Sequence, residues 1–304
     1  MSAQVSAALH SGAPVVALES TIISHGLPRP GNLDAARQFE AILAARGVTA
    51  ATIALVDGVP KVGLDPGELE RIATDESVVK IGSRDIGIAI ARKVTGGTTV
   101  AATSVLAVRA GIRVFATGGL GGVHRGAAET FDESADLTVL SRTPITVVSA
   151  GVKSILDIPA TLERLETLSV AVVGYRTSRF PAFWLSDSGY DLDWRVESAA
   201  EIAAIMAARE AFGEQSALLV ANPLPADLQL DPGVLDDALA EALAVADQQG
   251  VRGKAVSPFL LDRIQQVTGG ASVGVNLEIA RGNIELAAAI SRSWAERSTA
   301  PLAG

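Results

Sequence analysis

An α/β fold, with a largely parallel central sheet and helices on both faces, is what this sequence predicts. Three observations carry that reading. Short β-branched runs alternate with helix-like segments along almost the whole chain, the pattern of successive βαβ units. The 304 residues are 48% hydrophobic but only 4% aromatic, so the core must be built from Ala, Val, Leu and Ile. That composition suits helices packed on a buried parallel sheet better than an antiparallel sandwich. No repeat, low-complexity tract or linker interrupts the pattern, and one domain over residues 1–304 is expected.

Pro14–Glu19 reads as a buried strand, followed by a turn-rich loop, STIISHGLPRPG. Asn32 sits where an N-cap is expected for a helix to about Arg46, closed by Gly47. Ala51–Asp57 is strand-like, and Gly58–Gly63 has the residues of a tight hairpin. Pro66–Thr74 begins with proline and carries early acids, both signals of a helix start. Val78–Ile81, Thr98–Thr103, Ile112–Thr117 and Ile145–Ser149 are further strand-like runs, separated or followed by helical patterns at Arg84–Lys93, Ser154–Leu168 and Ala199–Phe212. Val170–Gly174 and Ala217–Ala221 add two strands, and Val234–Gln249, Ser257–Thr268 and Leu277–Trp294 make the last third mainly helical. Tyr175–Arg195 holds four of the five Trp and Tyr residues and reads as a long excursion or lid.

The formal net charge is −9 with no basic tract, which makes a nucleic-acid polymer a poor partner. The absence of cysteine excludes disulfides and thiolate chemistry. The opening MSAQVSAALHSGAPVV lacks a basic stretch followed by a long apolar one, so no secretory signal is expected. No apolar run approaches the roughly 18–20 residues of a membrane span. A soluble cytoplasmic protein is the expectation.

The densest chemistry lies in Val114–Asp136, VFATGGLGGVHRGAAETFDESAD. Four glycines in five residues follow Thr117, then come His124 and Arg125, then four acids between Glu129 and Asp136. Glycine lets backbone amides approach a ligand, and carboxylates offer hard oxygens to a divalent cation. Asp132 and Asp136, four apart, would share a face if the segment were helical; a solvated acidic helix start explains the same spacing. The glycines match neither a P-loop nor a dinucleotide fingerprint.

Lysine is scarce, five against twenty arginines. Lys61, Lys80, Lys93 and Lys254 lie near predicted turns or element ends. Lys153, between ITVVSAGV and SILDI, falls instead at the carboxyl end of a buried strand entering a helix, the edge where open α/β sheets bind ligands. A lysine desolvated there can act as an amine nucleophile; a solvent-facing helix-start lysine is the plainer alternative. Glu19 also ends a buried strand and is a candidate general acid, or a helix-capping acid. His25 in the same loop is a weaker candidate, His124 a candidate anion binder, and TGG at 268–270 with Asn276 a glycine-bearing turn able to complete a pocket.

Taken together, ALESTIISHGLPRPGN, TTVAATSVLA, VFATGGLGGVHRGAAETFDESADL, SAGVKSILD, ANPLP, GKAVSPFLL and TGGASVGVN resemble the pseudouridine-5′-phosphate glycosidase family, to which the indigoidine synthase A-like proteins of pigment clusters are related. The resemblance runs from about residue 14 to 294, nearly the whole chain. It implies reversible cleavage of pseudouridine 5′-phosphate to uracil and ribose 5-phosphate, a three-layer α/β/α fold, one Mn²⁺ or other divalent cation per subunit, and a homotrimer. It further implies that Lys153 is the Schiff-base nucleophile, Glu19 the proton donor and Asp132 the metal ligand. Lys80, Val100, Ser134, Ala135 and Asp136 fall at substrate positions, with Thr117, His124 and Asn276 as further pocket residues. A C–C glycosidic bond needs an electron sink at the sugar. Protonation of the ribose ring oxygen by Glu19, opening of the ring by the Lys153 amine and departure of uracil would supply one. The alternatives are a Schiff-base lyase or aldolase on another sugar phosphate, and a non-catalytic pigment-cluster accessory protein.

Overall fold

The computed structural model describes residues 1–252 and 256–299. Lys254 and the start of the GKAVSPFLL motif lie outside the described residues.

Among the described residues ten strands form a single sheet. They are β1 (Val15–Glu19), β2 (Thr49–Val56), β3 (Val59–Val62), β4 (Val79–Ile81), β5 (Gly96–Thr98), β6 (Val114–Ala116), β7 (Thr146–Ser149), β8 (Ala171–Tyr175), β9 (Arg195–Val196) and β10 (Leu218–Ala221). The order across the sheet is β4-β5-β2-β1-β6-β7-β10-β8-β9, with β3 paired to β2 off this path. Two pairings are antiparallel, β3 and β5 each against β2, so β4, which is parallel to β5, also runs opposite to the central strands. The remaining pairings are parallel, as the sequence predicts.

Alternation along each central strand supplies both faces of the sheet. Ala17 of β1, Phe115 of β6, Val147 of β7 and Leu219 of β10 join one core with Leu106, Leu137, Leu165 and Leu235. Their neighbours Leu18, Val114, Val148 and Val220 join the other core with Phe39, Ile202, Ile284 and Ile290. The first set of helices includes Val100–Arg109, Ala135–Leu140, Ile158–Thr167 and Pro232–Gln248; the second includes Gly31–Ala45, Ala199–Phe212 and Ala271–Thr299. The result is the three-layer α/β/α arrangement.

Several boundaries differ from the sequence pattern, each for a local reason. Thr98–Thr103 is not a strand: β5 ends at Thr98, and the Thr99 hydroxyl accepts from Ala102 N to cap the helix Val100–Arg109. β5 escapes a propensity reading because Gly96 and Gly97 carry no strand signal; a Cβ on Gly96 would lie 2.4 Å from Ile81. Asn32 is no N-cap, since its buried amide donates to the carbonyls of Ile23 and Ala73. The helix expected from Ser154 begins at Ile158 behind the Asp157 cap, so Lys153 precedes a turn rather than entering a helix. An N-terminal helix, Ala3–His10, has no counterpart in the sequence reading. The Tyr175–Arg195 excursion is present, but Phe180 and Trp184 are fully buried within the body of the fold. No helix of the described residues is long and apolar enough to cross a membrane.

Candidate active site

Chain order reverses at β1, with β2 on one side and β6 on the other, and the crevice beyond the carboxyl ends of such strands is the natural ligand site of an open α/β sheet. Glu19 ends β1 and Thr117 follows β6 across that crevice. The Thr117 hydroxyl donates to Glu19 Oε1. Beyond β7 the chain stays extended against the glycine loop: Ala150 N donates to Gly118 O at 2.9 Å, and Lys153 N to Leu120 O at 3.1 Å. Phe183 N closes the other side on Ala150 O at 3.0 Å, so the backbone leading into Lys153 is held from two directions.

These elements enclose a pocket of about 70 Å³. Glu19, Lys80, Lys153, His25 and Asn276 bring polar groups to it; Ile22, Phe183, Pro258 and Leu261 form the apolar wall. The Phe183 ring reaches the pocket only because position 119 is glycine, where a Cβ would sit 2.6 Å from the ring. Burial raises the pKa of Glu19 above the usual carboxylate range; the Lys153 ammonium and the Thr117 bond pull the other way without reversing it. A carboxyl group so placed can carry a proton at the sheet edge. Burial lowers the pKa of His25, helped by the charges of Lys80 and Arg29, so its imidazole favours the neutral form.

His124 and Asp132 face each other across a narrow loop, where His124 N donates to Asp132 O at 3.0 Å. Desolvation lowers the pKa of His124; Asp132 opposes that effect, while Lys80 and Lys153 add to it. Lys80, on β4, therefore lies within electrostatic reach of both His25 and His124.

Asp132 and Asp136 do not share a helical face. Ala127–Thr130 and Ala135–Leu140 are separate short helices, with Phe131 between them in the left-handed region (φ 55°). Asp136 is buried, and its two oxygens accept from Ala101 N and Gly121 N, each at 2.9 Å. Its carboxylate thus ties the start of the Val100–Arg109 helix to the glycine loop. Val100 is buried at that helix start, Ser134 caps the next helix through Asp136 N, and Ala135 is exposed. Among the described residues no three His, Asp, Glu or Cys side chains gather as a metal cage. Asp132, the expected cation ligand, is half-buried and lies outside the residues lining the pocket, where Glu19 is the carboxylate.

Sequence reasoning missed two supports. Asn283 is buried on the last helix and donates to Thr117 O (2.7 Å) and Gly118 O (3.2 Å), while Asn222, after β10, donates to Asn283 Oδ1 (2.9 Å). Only the ANPLP motif around Asn222 hinted at this. Trp184 Nε1 donates to Asn276 Oδ1 at 2.6 Å, a contact between positions 92 residues apart that no local pattern reveals.

A parallel α/β sheet whose switch-point crevice holds an acid, a lysine and a glycine loop defines an enzyme-type site for a small anionic substrate. The family of indigoidine synthase A like proteins matches residues 4–293, and the chain belongs to it. A pseudouridine-5′-phosphate glycosidase of Frankia alni is 60% identical over 99% of this chain and 83% of its own length. One of Saccharopolyspora erythraea is 57% identical over 97% of both chains. Among solved structures, the prealnumycin C-glycosynthase AlnA in complex with ribulose 5-phosphate superposes with a TM-score of 0.90 at 36% identity, covering 98% of this chain and 97% of that one. An indigoidine synthase A-like protein from Thermotoga maritima gives 0.87 at 36% identity, covering 93% and 94%.

Proposed function

We propose that this chain reversibly cleaves the C–C glycosidic bond of pseudouridine 5′-phosphate, giving uracil and ribose 5-phosphate. The observation that carries the reading is the pairing of Glu19, whose pKa burial raises, with Lys153 in one small pocket at the sheet edge. Near-full-length relatives bearing that activity's name support it.

Glu19 gives its proton to the ribose ring oxygen as the C1′–O bond breaks and the Lys153 amine bonds to C1′. The nitrogen lone pair then forms a C=N bond while the bond from C1′ to the base breaks and the base carbon takes a proton. Water adds to the imine, freeing ribose 5-phosphate and the lysine. Lys80 and His124 supply charge and hydrogen bonds for the anionic sugar phosphate, the Val100 helix start and the 134–136 segment shape its seat, and Asn276 contacts the bound molecule. A divalent cation, Mn²⁺ in the first place, would be held by Asp132 through water and would neutralise substrate oxygens. A homotrimer is part of the same proposal, and sedimentation of the purified protein tests it.

The direct test is uracil release from pseudouridine 5′-phosphate together with borohydride trapping of ribose 5-phosphate on Lys153. Lys153→Ala is expected to abolish both. Normal turnover in that variant, or no adduct in the wild type, would remove the reading. Chelation is expected to lower the rate and added Mn²⁺ to restore it; indifference to chelator would remove Asp132 from its role.

A further inference from the structure

We propose that Asn283, on the last helix, is a positioning residue for the acid: it fixes the Thr117 backbone and, through the Thr117 hydroxyl, aims the Glu19 carboxyl. This rests on the C-glycoside reading above and deepens it.

The ladder between β1 and β6 ends at Leu18 and Ala116, one residue short of both groups. Beyond it Glu19 and Thr117 are joined through their side chains, the Thr117 hydroxyl bonding to Glu19 Oε1. Such a bond aims the carboxyl only if the Thr117 backbone is itself held. Thr117 N donates to Val148 O at 3.0 Å, which holds the residue from the β7 side. Asn283 holds it from the helix side, where Nδ2 donates to Thr117 O at 2.7 Å and to Gly118 O at 3.2 Å.

Both amides of this support have a single orientation. Carbonyl oxygens can only accept, so the end of Asn283 that faces Thr117 and Gly118 is its NH₂. Its oxygen is left for Asn222, whose Nδ2 donates to it at 2.9 Å. Asn222 N donates in turn to Ser149 O at 2.8 Å. The carboxyl ends of β6, β7 and β10 are thus tied together through one amide that is 1% exposed. On the same face of the helix, Ala280 and Ile284 join Leu18, Phe39 and Ala116 in walling a chamber of about 20 Å³ behind Glu19. Walls of that kind give a water too few partners to replace the Thr117 hydroxyl.

The test compares uracil release from pseudouridine 5′-phosphate by Asn283→Leu, Thr117→Val and the double variant. Leucine keeps the branched shape of asparagine but cannot donate. In Asn283→Leu, kcat should fall on the order of 10-fold while KM changes by less than about twofold. The double variant should be no slower than the slower single one, whereas losses through separate routes would multiply. Thr117→Ser, which keeps the hydroxyl, should retain most of the wild-type kcat. A second measurement needs no substrate: carbon-13 NMR titration of the Glu19 carboxyl, assigned by its absence in Glu19→Gln. The groups that face Glu19, namely Lys153, Asp136 and Lys80, with His25 on the same pocket, are left in place by all these variants. The Thr117 bond lowers the pKa of Glu19, so the titration should move up in each single variant and no further in the double. Asn222→Ala frees the Asn283 amide to turn and should shift kcat and titration the same way by less, even if Asn283→Leu folds poorly. Wild-type kcat and titration in both Asn283→Leu and Asn222→Ala, or losses that multiply in the double variant, overturn the proposal. A wild type that releases no uracil overturns the C-glycoside reading itself, and the titration alone then decides the role of Asn283.

Discussion

Glu19 shows how one residue trades stability for chemistry. Burial raises its pKa, so its neutral form is the one the fold favours. The folded state therefore binds its proton more tightly than the unfolded chain. The stabilisation this provides is complete at low pH and is lost as pH rises through the raised value. Glu19→Gln removes the ionisation while keeping an acceptor for Thr117. Its thermal midpoint relative to wild type should accordingly climb as pH rises above the usual carboxylate range, and a difference independent of pH would contradict the buried-acid picture. Cleavage should fall by about 10²–10⁴-fold in the same variant. At Lys153 the expectation is different in kind. Lys153→Arg keeps a cation but cannot form an imine, so circular dichroism should report a native fold while turnover and the borohydride adduct vanish.

Between elements, Asp136 is the joint that sets the glycine loop against the Val100–Arg109 helix. Asp136→Asn leaves one carbonyl oxygen for two amides, and an NH₂ group then faces an N–H. The expected cost is about 1–3 kcal/mol, read as an earlier denaturation midpoint, with a raised KM for the phosphorylated substrate. Full stability would show that the two bonds matter little. Gly121→Ala attacks the same joint from the other side, since its Cβ would lie 2.2 Å from Ser134 Oγ and 2.7 Å from Asp136 Oδ2. Most elements were legible because strand and helix periods differ and because proline, aspartate and glycine mark helix ends, as at Asp65–Pro66 with its capping box. The exceptions were those where long-range packing overrides local preference. Gly96–Thr98 is a strand because neighbouring strands press against it, and Thr98–Thr103 reads as β-branched yet caps and starts a helix. Glu19 and Lys153 were candidates from their places at or after strand ends, but their proposed roles came from the family resemblance. Asn283, Asn222 and the Trp184–Asn276 bond could not be found in this way, because partners 61 to 166 residues apart leave no trace in a single sequence.

Over the whole molecule the central strands β1, β6, β7 and β10 are covered on both faces, whereas β4 and β9 end the sheet. Amide hydrogen exchange should be slowest in those four strands and fastest at the two edges; comparable rates would mean that the sheet opens as a unit. The last helix, Ala271–Thr299, runs under this centre, and its Ser291 hydroxyl donates to Val15 O on β1 at 3.0 Å. The same helix brings Asn283 to the Thr117 and Gly118 carbonyls and Asn276 to the pocket. Glu19, Thr117 and Lys153 all precede it by more than a hundred positions in the chain. A ribosome making this chain thus produces Glu19, Thr117 and Lys153 well before the helix that steadies the backbone around them, so the pocket takes its shape only after that helix has been made and has docked.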